Sequence, residues 1–409
     1  MKRECLSRLA ISMLVIMLAW RRVHSFQHRR HICTKTGSPA SPHTSSESLR
    51  GVVSERTREM FLNVPAQEGA GGAGGSTSLE GLQRLNEGWE QLKAGGWRTP
   101  VPQVVYQHRG IKSLEQDTDK KFDSIAEFDV IVSGGTLGIF YALALQNMGY
   151  RVCVVERGKI AGRPQEWNIS GKELNALIRL GILESNELKD ITGIEFNPVR
   201  VGFKTDTSDL FEDRGFEVYV RDILNLGIKP DVLIDIVKRK FIAIGGVLLE
   251  NSPMKRIDVY SDAAVLQVEG GQPVSARLVL DAMGNASPIS RQIRGSVEPD
   301  GICVVVGGCA SGFDPANNTY SDVIYTDTPI TNKTTSQLQY FWEAFPAGSG
   351  PSDRTTYLFT YMDAKPDRPS ILEIMDDYWE LLPRYVVHLL TFELHYLSFI
   401  LHSKFIDSS

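Results

Sequence analysis

Residues 128–157 read FDVIVSGGTLGIFYALALQNMGYRVCVVER, and the order of residue types in this stretch decides the fold. Val130 to Val132 predict a short buried strand. Ser133-Gly-Gly-Thr-Leu-Gly138 is a turn, Ile139 to Asn147 a helix broken by Gly149, and Arg151 to Val155 a second strand ending in the acid Glu156. Strand, glycine turn, helix, strand and acid in register make a βαβ dinucleotide-binding unit. Ser133 stands where the usual pattern has its first glycine, so the motif is SxGxxG. Counting from Ser133, the acid lies 156 − 133 = 23 residues on, near the usual spacing of about 20.

Each residue type has a chemical reason. Ser133, Gly134 and Gly135 let the backbone approach a pyrophosphate on the helix N-terminus, and Gly138 lets that helix pack on the first strand. Glu156 offers a carboxylate to a ribose diol, and Arg157 is placed to reach adenine or ribose. An acid at 156 argues against a 2′-phosphate, which leaves FAD or NAD.

About 150 residues further on, Ala276–Ser287 reads ARLVLDAMGNAS, an apolar strand running into Asp281-Ala-Met-Gly284 with Ser287 and Arg291 on a following helix. A simple NAD dehydrogenase would spend that distance on more parallel strands. A flavoprotein of the hydroxylase and carotenoid-cyclase type returns its chain to the flavin there, which makes Asp281 and Gly284 cofactor candidates. The preceding strand is then expected beside Val130–Val132.

From Asp129 to about Tyr385 the chain resembles a plant plastid FAD/NAD(P)-binding oxidoreductase family, itself similar to lycopene cyclases and geranylgeranyl reductases. The resemblance rests on GGTLG (134–138), VVER (154–157), RPQEWNIS (163–170), DILNLGI (222–228), DAMGNASP (281–288), YFWEAFPAGSGP (340–351) and DRTTYLFTYMD (353–363). It implies FAD as cofactor, NAD(P)H as electron donor and an apolar, isoprenoid-type small-molecule substrate. Such families carry a third flavin segment, a strand ending in Gly-Asp-Ala, and no such segment follows Tyr385. The tail, VVHLLTFELHYLSFILHSKFIDSS over 386–409, is apolar on all sides and makes a poor surface helix, which reads either as a spliced or truncated C-terminus or as a membrane-surface or partner contact. This form is therefore expected to hold FAD weakly.

The expected fold class is α/β. A Rossmann-like FAD-binding domain, three-layered around a mainly parallel sheet, takes 127–300 and is interrupted by segments of an antiparallel-sheet substrate domain centred on 301–385. With 42% apolar and 23% charged residues, the chain has room for such a core. A net charge of −5 without a basic patch gives no reason to invoke nucleic acid. Cys5, Cys33, Cys153, Cys303 and Cys309 have no CxxC spacing, so no zinc site or disulfide framework is implied; Cys153 is expected in the core.

Residues 1–60 read as a targeting region. Leu9 to Trp20 is too short to span a bilayer, and no acid lies between Glu4 and Glu47 among many Arg, Ser and His residues. A secretory signal and an organelle transit peptide both fit; the resemblance favours a chloroplast transit peptide. Residues 61–126 are expected to be a glycine-rich linker (Glu68–Ser76) and a short helix over Ser78–Lys93, which docks through Leu79, Leu82, Leu85, Trp89 and Leu92.

Within the core, Ser170 and Glu173 form a capping box for a helix through Leu180, and Pro230 to Ala243 is a second helix. Ile257 to Val268 and Leu278 to Leu280 are expected strands. Ile302–Val306, Asp322–Tyr325, Gln337–Phe345 and Thr355–Tyr361 then alternate as an antiparallel sheet does. Its rings, Tyr340, Phe341, Trp342, Phe345, Tyr357, Phe359 and Tyr361, either roof an apolar pocket or form ordinary core. Asp353 and Arg354 read as a surface pair. No histidine lies between Asp129 and Tyr385, and no nucleophilic triad or HExxH motif occurs. A flavin carries its own redox chemistry, so catalytic residues stay unassigned, with Glu343 and Asp363 as acid/base candidates.

Overall fold

The structure is a computed structural model that describes residues 52–62, 75–76, 78–108, 127–163, 165–204, 216–284, 287–326, 338–385 and 389–404. Residues 1–51 of the expected targeting region 1–60 and most of the glycine-rich linker lie outside these; residues 52–60 are described, and Val53 and Thr57 among them are buried.

The chain starts with α1 (Glu55–Leu62), β1 (Gly75–Ser76), α2 (Leu79–Lys93), β2 (Val105–Gln107), β3 (Phe128–Ser133), α3 (Gly138–Asn147) and β4 (Val152–Val155). It continues through β5 (Trp167–Ile169), α4 (Gly171–Arg179), α5 (Leu188–Ile191), β6 (Thr192–Glu195), β7 (Val199–Lys204), β8 (Phe216–Val220) and β9 (Leu226–Ile228). Next come α6 (Pro230–Ala243), β10 (Val247–Leu249), β11 (Met254–Val259), β12 (Ala264–Val268), β13 (Val274–Asp281) and α7 (Pro288–Arg294). The last elements are β14 (Gly301–Phe313), β15 (Ser321–Thr326), β16 (Tyr340–Pro346), β17 (Arg354–Met362), α8 (Ile371–Tyr385) and β18 (Leu389–Lys404).

Three sheets result. The first has the order β10-β4-β3-β13-β12-β11-β2, parallel from β10 to β13 and antiparallel across β13, β12 and β11. The second is β1-β18-β14-β17-β16-β15-β7-β8, antiparallel except where β15 runs parallel to β7. The third is the small β5-β9-β6. This is the expected α/β class. Strands β7 and β8, drawn from inside 127–300, are the segments that cross to the antiparallel sheet.

Local sequence explains the helices. The capping box of α4 is present in both directions, and Pro230 opens α6 at a position whose N–H has no helical acceptor. Helix α3 is apolar nearly all round because it lies between the first sheet and α6, with Ile139, Ala142 and Leu143 fully buried. Ile257 to Val268 is two strands, not one: Tyr260 donates its N–H to the carbonyl of Ala263 and closes a hairpin between β11 and β12. The sequence hint was the polar pair Ser261-Asp262.

The N-terminal helices are part of the core. Leu82 and Trp89 are 0% exposed and pack with α8 and the inner face of the antiparallel sheet. Trp89 donates its indole N–H to the carbonyl of Pro369 at 2.8 Å. Thr57 donates to Asp376 at 2.7 Å and accepts from the Trp379 indole at 3.0 Å. Part of the tail at 386–409, β18, is a strand paired with β14 over most of its length and, on its other side, with the two-residue β1.

Candidate functional site

The glycine turn after β3 is held against β13 by backbone contacts. Strand β13 lies beside β3 in parallel, with Leu278 opposite Val130 and Asp281 opposite Ser133, as its sequence led one to expect. At the ends of the two strands, the N–H of Ala282 donates to the carbonyl of Ser133 at 2.7 Å. Gly134 takes a φ of +100°, and a Cβ there would fall 2.5 Å from the carbonyl carbon of Ala282, so only glycine fits. A Cβ at Gly138 would come within 2.7 Å of Val132 Cγ1. Gly135 is crowded by Ile160.

This turn suits an anion. Among the described residues, the N–H groups of Thr136, Leu137 and Gly138 at the start of α3 find no acceptor. The hydroxyl of Ser133 is buried and has no hydrogen-bond partner there. Glu156 accepts the N–H of Gly135 at 2.6 Å and that of Gly158 at 3.1 Å, which fixes its carboxylate at the mouth of the turn. Each oxygen keeps lone-pair capacity for a ribose hydroxyl. The donors and the acid fit the diphosphate and ribose of a dinucleotide.

Other predicted residues have different surroundings. Arg157 is exposed beyond the end of β4. Asp281 spends its carboxylate on its own loop, accepting from Met283 N at 3.0 Å, Ser287 Oγ at 2.5 Å and Ser290 Oγ at 3.3 Å. It thereby holds the turn that contains Gly284, at φ +70°, against β3. Asp363 is paired with Arg368 at 2.5 Å and Lys365 at 3.0 Å, contacts that hold its carboxyl below the usual range and disqualify it as an acid. Asp353 and Arg354 are not a surface pair. Both are buried, and Arg354 instead binds Asp322 at 2.7 Å. Cys153 is fully buried, and desolvation pushes its thiol up to about 12, as befits a core residue.

The aromatic residues of β16 and β17 divide by strand parity. Tyr340 and Trp342 point inward to α8 and are core. Phe341, Tyr357, Phe359 and Tyr361 belong to the opposite face, where Phe216, Phe203, Tyr325, Phe341 and Phe359 stand in direct register across five strands. Neighbouring ring centroids in this row are 5.3, 5.4, 5.1 and 4.6 Å apart. In the next row, Glu343 stands between Val323 and Tyr357. Burial pushes its carboxyl up to about 7, although some of its surface is still open to solvent.

Sequence reasoning missed how this face is tied to the nucleotide turn. The loop 160–167, which leaves the turn region, bonds to it twice. Gln165 donates its side-chain amide to the Tyr357 hydroxyl, and Glu166 accepts the N–H of Gly348 at 3.1 Å. Burial raises the Glu166 carboxyl, opposed by the Gly348 N–H and Lys229. Arg163 acts electrostatically on Tyr357, and its Nε is buried without a partner among the described residues. RPQEW had stood out in the sequence, but nothing in it specified these partners.

The fold of this mixed parallel sheet with its attached antiparallel sheet is similar to that of a solved halogenase. Halogenase PltM, in complex with ethyl mercury and mercury, superposes with a TM-score of 0.52 at 12% identity, over 68% of this chain and 60% of that one. The flavin-dependent halogenase CmlS gives 0.49 at 18% identity, over 68% and 50% of the two chains. A geranylgeranyl bacteriochlorophyll reductase-like protein from Thermoplasma acidophilum gives 0.49 at 14%, over 68% and 66%. The chain thus spans about half to two thirds of these structures. At such identities the likeness concerns the fold alone. No protein-family model and no curated protein matches the sequence.

Proposed function

We propose that this chain is a FAD-dependent oxidoreductase acting on an apolar, isoprenoid-type molecule laid on the aromatic face, with NAD(P)H as the electron donor. The observation that supports this reading is the double fastening of the segment after the glycine turn to the antiparallel sheet, through Gln165 to Tyr357 and Glu166 to Gly348. Bound FAD would supply the redox chemistry. The chain's own residues bind and orient. Ser133, Gly134, Gly135 and Gly138 shape the turn for the pyrophosphate, and Glu156 receives the ribose. Glu343, whose carboxyl is held at about 7, gives or takes a proton beside the rings of Tyr325 and Tyr357. A chloroplast location and contact with a membrane surface belong to the same proposal; the acid-poor Arg/Ser region and the apolar tail support them.

The test is a visible spectrum of the purified chain supplied with FAD, followed by anaerobic NADH or NADPH. Flavin bands that bleach on adding the nicotinamide support the reading. A colourless protein that binds NADH is a nicotinamide reductase without flavin, and one that binds nucleotide without turnover is a non-catalytic isoform.

A further inference from the structure

We infer that β8 is a self-pairing edge, through which two copies of this chain join antiparallel and extend the eight-stranded sheet across a two-fold axis. This goes beyond the proposed activity. Among the described strands, β8 pairs only with β7 and ends the sheet. Its outer edge is bordered by large apolar side chains: Phe216 is 56% exposed, Val218 48%, Tyr219 55% and, just beyond, Ile223 46%. Proteins protect such edges with lysine, proline or a bulge. The sequence FEVYV has no lysine or proline, and its register with β7 runs without a shift.

The strand is complementary to itself. Pairing it antiparallel about Tyr219 sets Val218 against Val220 of the second copy and Glu217 against Arg221, twice over by symmetry. Pairing about Val218 instead sets Glu217 against Tyr219 and leaves Arg221 without a carboxylate opposite. Opposite charges facing each other across strands favour the first register. Arg221 is exposed and has no ion pair among the described residues. The register ends naturally there, because Asp222 turns to a φ of +62°. Phe216 is also the outer end of the aromatic row. An interface of about five residues per strand falls below the standard size, which predicts a reversible dimer of modest affinity.

Sedimentation velocity of the full chain, over about 1 to 100 μM, reads this directly. A reversible monomer–dimer equilibrium is expected. Tyr219→Lys places like charges opposite each other and should give monomer throughout. Glu217 also lies 3.8 Å from Arg200, so its variant alone could act through the fold. The decisive comparison is therefore the charge swap: Glu217→Arg and Arg221→Glu should each weaken the dimer about tenfold, and the double variant should restore it to within about threefold. Wild-type protein that stays monomeric over the whole range, a dimer indifferent to Tyr219→Lys, or a double swap without rescue would each overturn the inference. FAD binding measured on the same samples reports separately on the nucleotide site.

Discussion

The N–H of Gly135 donates to the carboxylate of Glu156 at 2.6 Å, so the acid at the end of β4 is fixed at the mouth of the glycine turn by the chain itself. With Gly158 as its second donor, the carboxylate is held where a ribose diol can meet its free lone pairs. Glu156→Ala removes both the acceptor and its charge. FAD affinity, read by ultrafiltration of the protein–FAD mixture, should fall severalfold or more, since a hydrogen bond to a charged group is worth about 1.5 to 3 kcal/mol. An unchanged affinity would remove Glu156 from the ribose.

Gly134→Ala tests the closure of the turn. The added methyl meets the Ala282 carbonyl group at 2.5 Å, and the backbone at φ +100° disfavours any side chain, so neither neighbour can yield without moving β13 away from β3. A loss of stability of about 2 kcal/mol or more is expected in urea unfolding, together with loss of nucleotide binding. Gly149→Ala, also at positive φ but with nothing within 4 Å, should cost less and spare binding.

Glu343 makes stability depend on pH. Its folded value of about 7 lies above the ordinary 4.5, so between these values the folded chain keeps a proton that the unfolded chain has released. The contribution of Glu343 to stability should therefore be greatest below about pH 4.5, fall as pH rises to about 7, and level off above. Glu343→Gln should remove this slope and, near pH 8, stabilise the fold by on the order of 2 kcal/mol, an amount reduced for the partial exposure of the carboxyl. If the carboxyl gives a proton in turnover, the same variant loses activity. Parallel pH–stability curves for the two proteins would refute this role for Glu343.

How much of this was legible in the sequence depended on range. The βαβ unit, the Ser170 capping box and the helix beginning at Pro230 are written in local patterns, because strand, cap and turn chemistry act over a few residues. The meeting of Asp281 with Ser133 was foreseeable from the order of the motifs. The fastening of Gln165 to Tyr357 was not, since a glutamine in a loop carries no sign of its partner. Alternation could have split the rings of β16 and β17 between two faces, but not told which face met α8. Arg354 and Asp353 looked like surface charges because nothing local marked Asp322 as the buried acid that receives Arg354.

The N-terminal helices offer a separate check. Thr57 is 1% exposed and links Asp376 to the Trp379 indole. Thr57→Val keeps the shape but leaves a buried N–H without its acceptor, a cost of about 1 to 3 kcal/mol. Thermal or urea unfolding should show that loss. If stability is unchanged, α1 contributes nothing to the fold around α8.

The most direct measurement for the nucleotide site is equilibrium binding of FAD to the purified 409-residue chain, with NADH titrated in parallel and Glu156→Ala as the control. Saturable binding of FAD at one site per chain is expected, tighter than that of NADH, and loosened by the substitution. FAD that passes through the filter while NADH is retained, or FAD binding indifferent to Glu156, would contradict a flavin site built on the turn from Ser133 to Gly138.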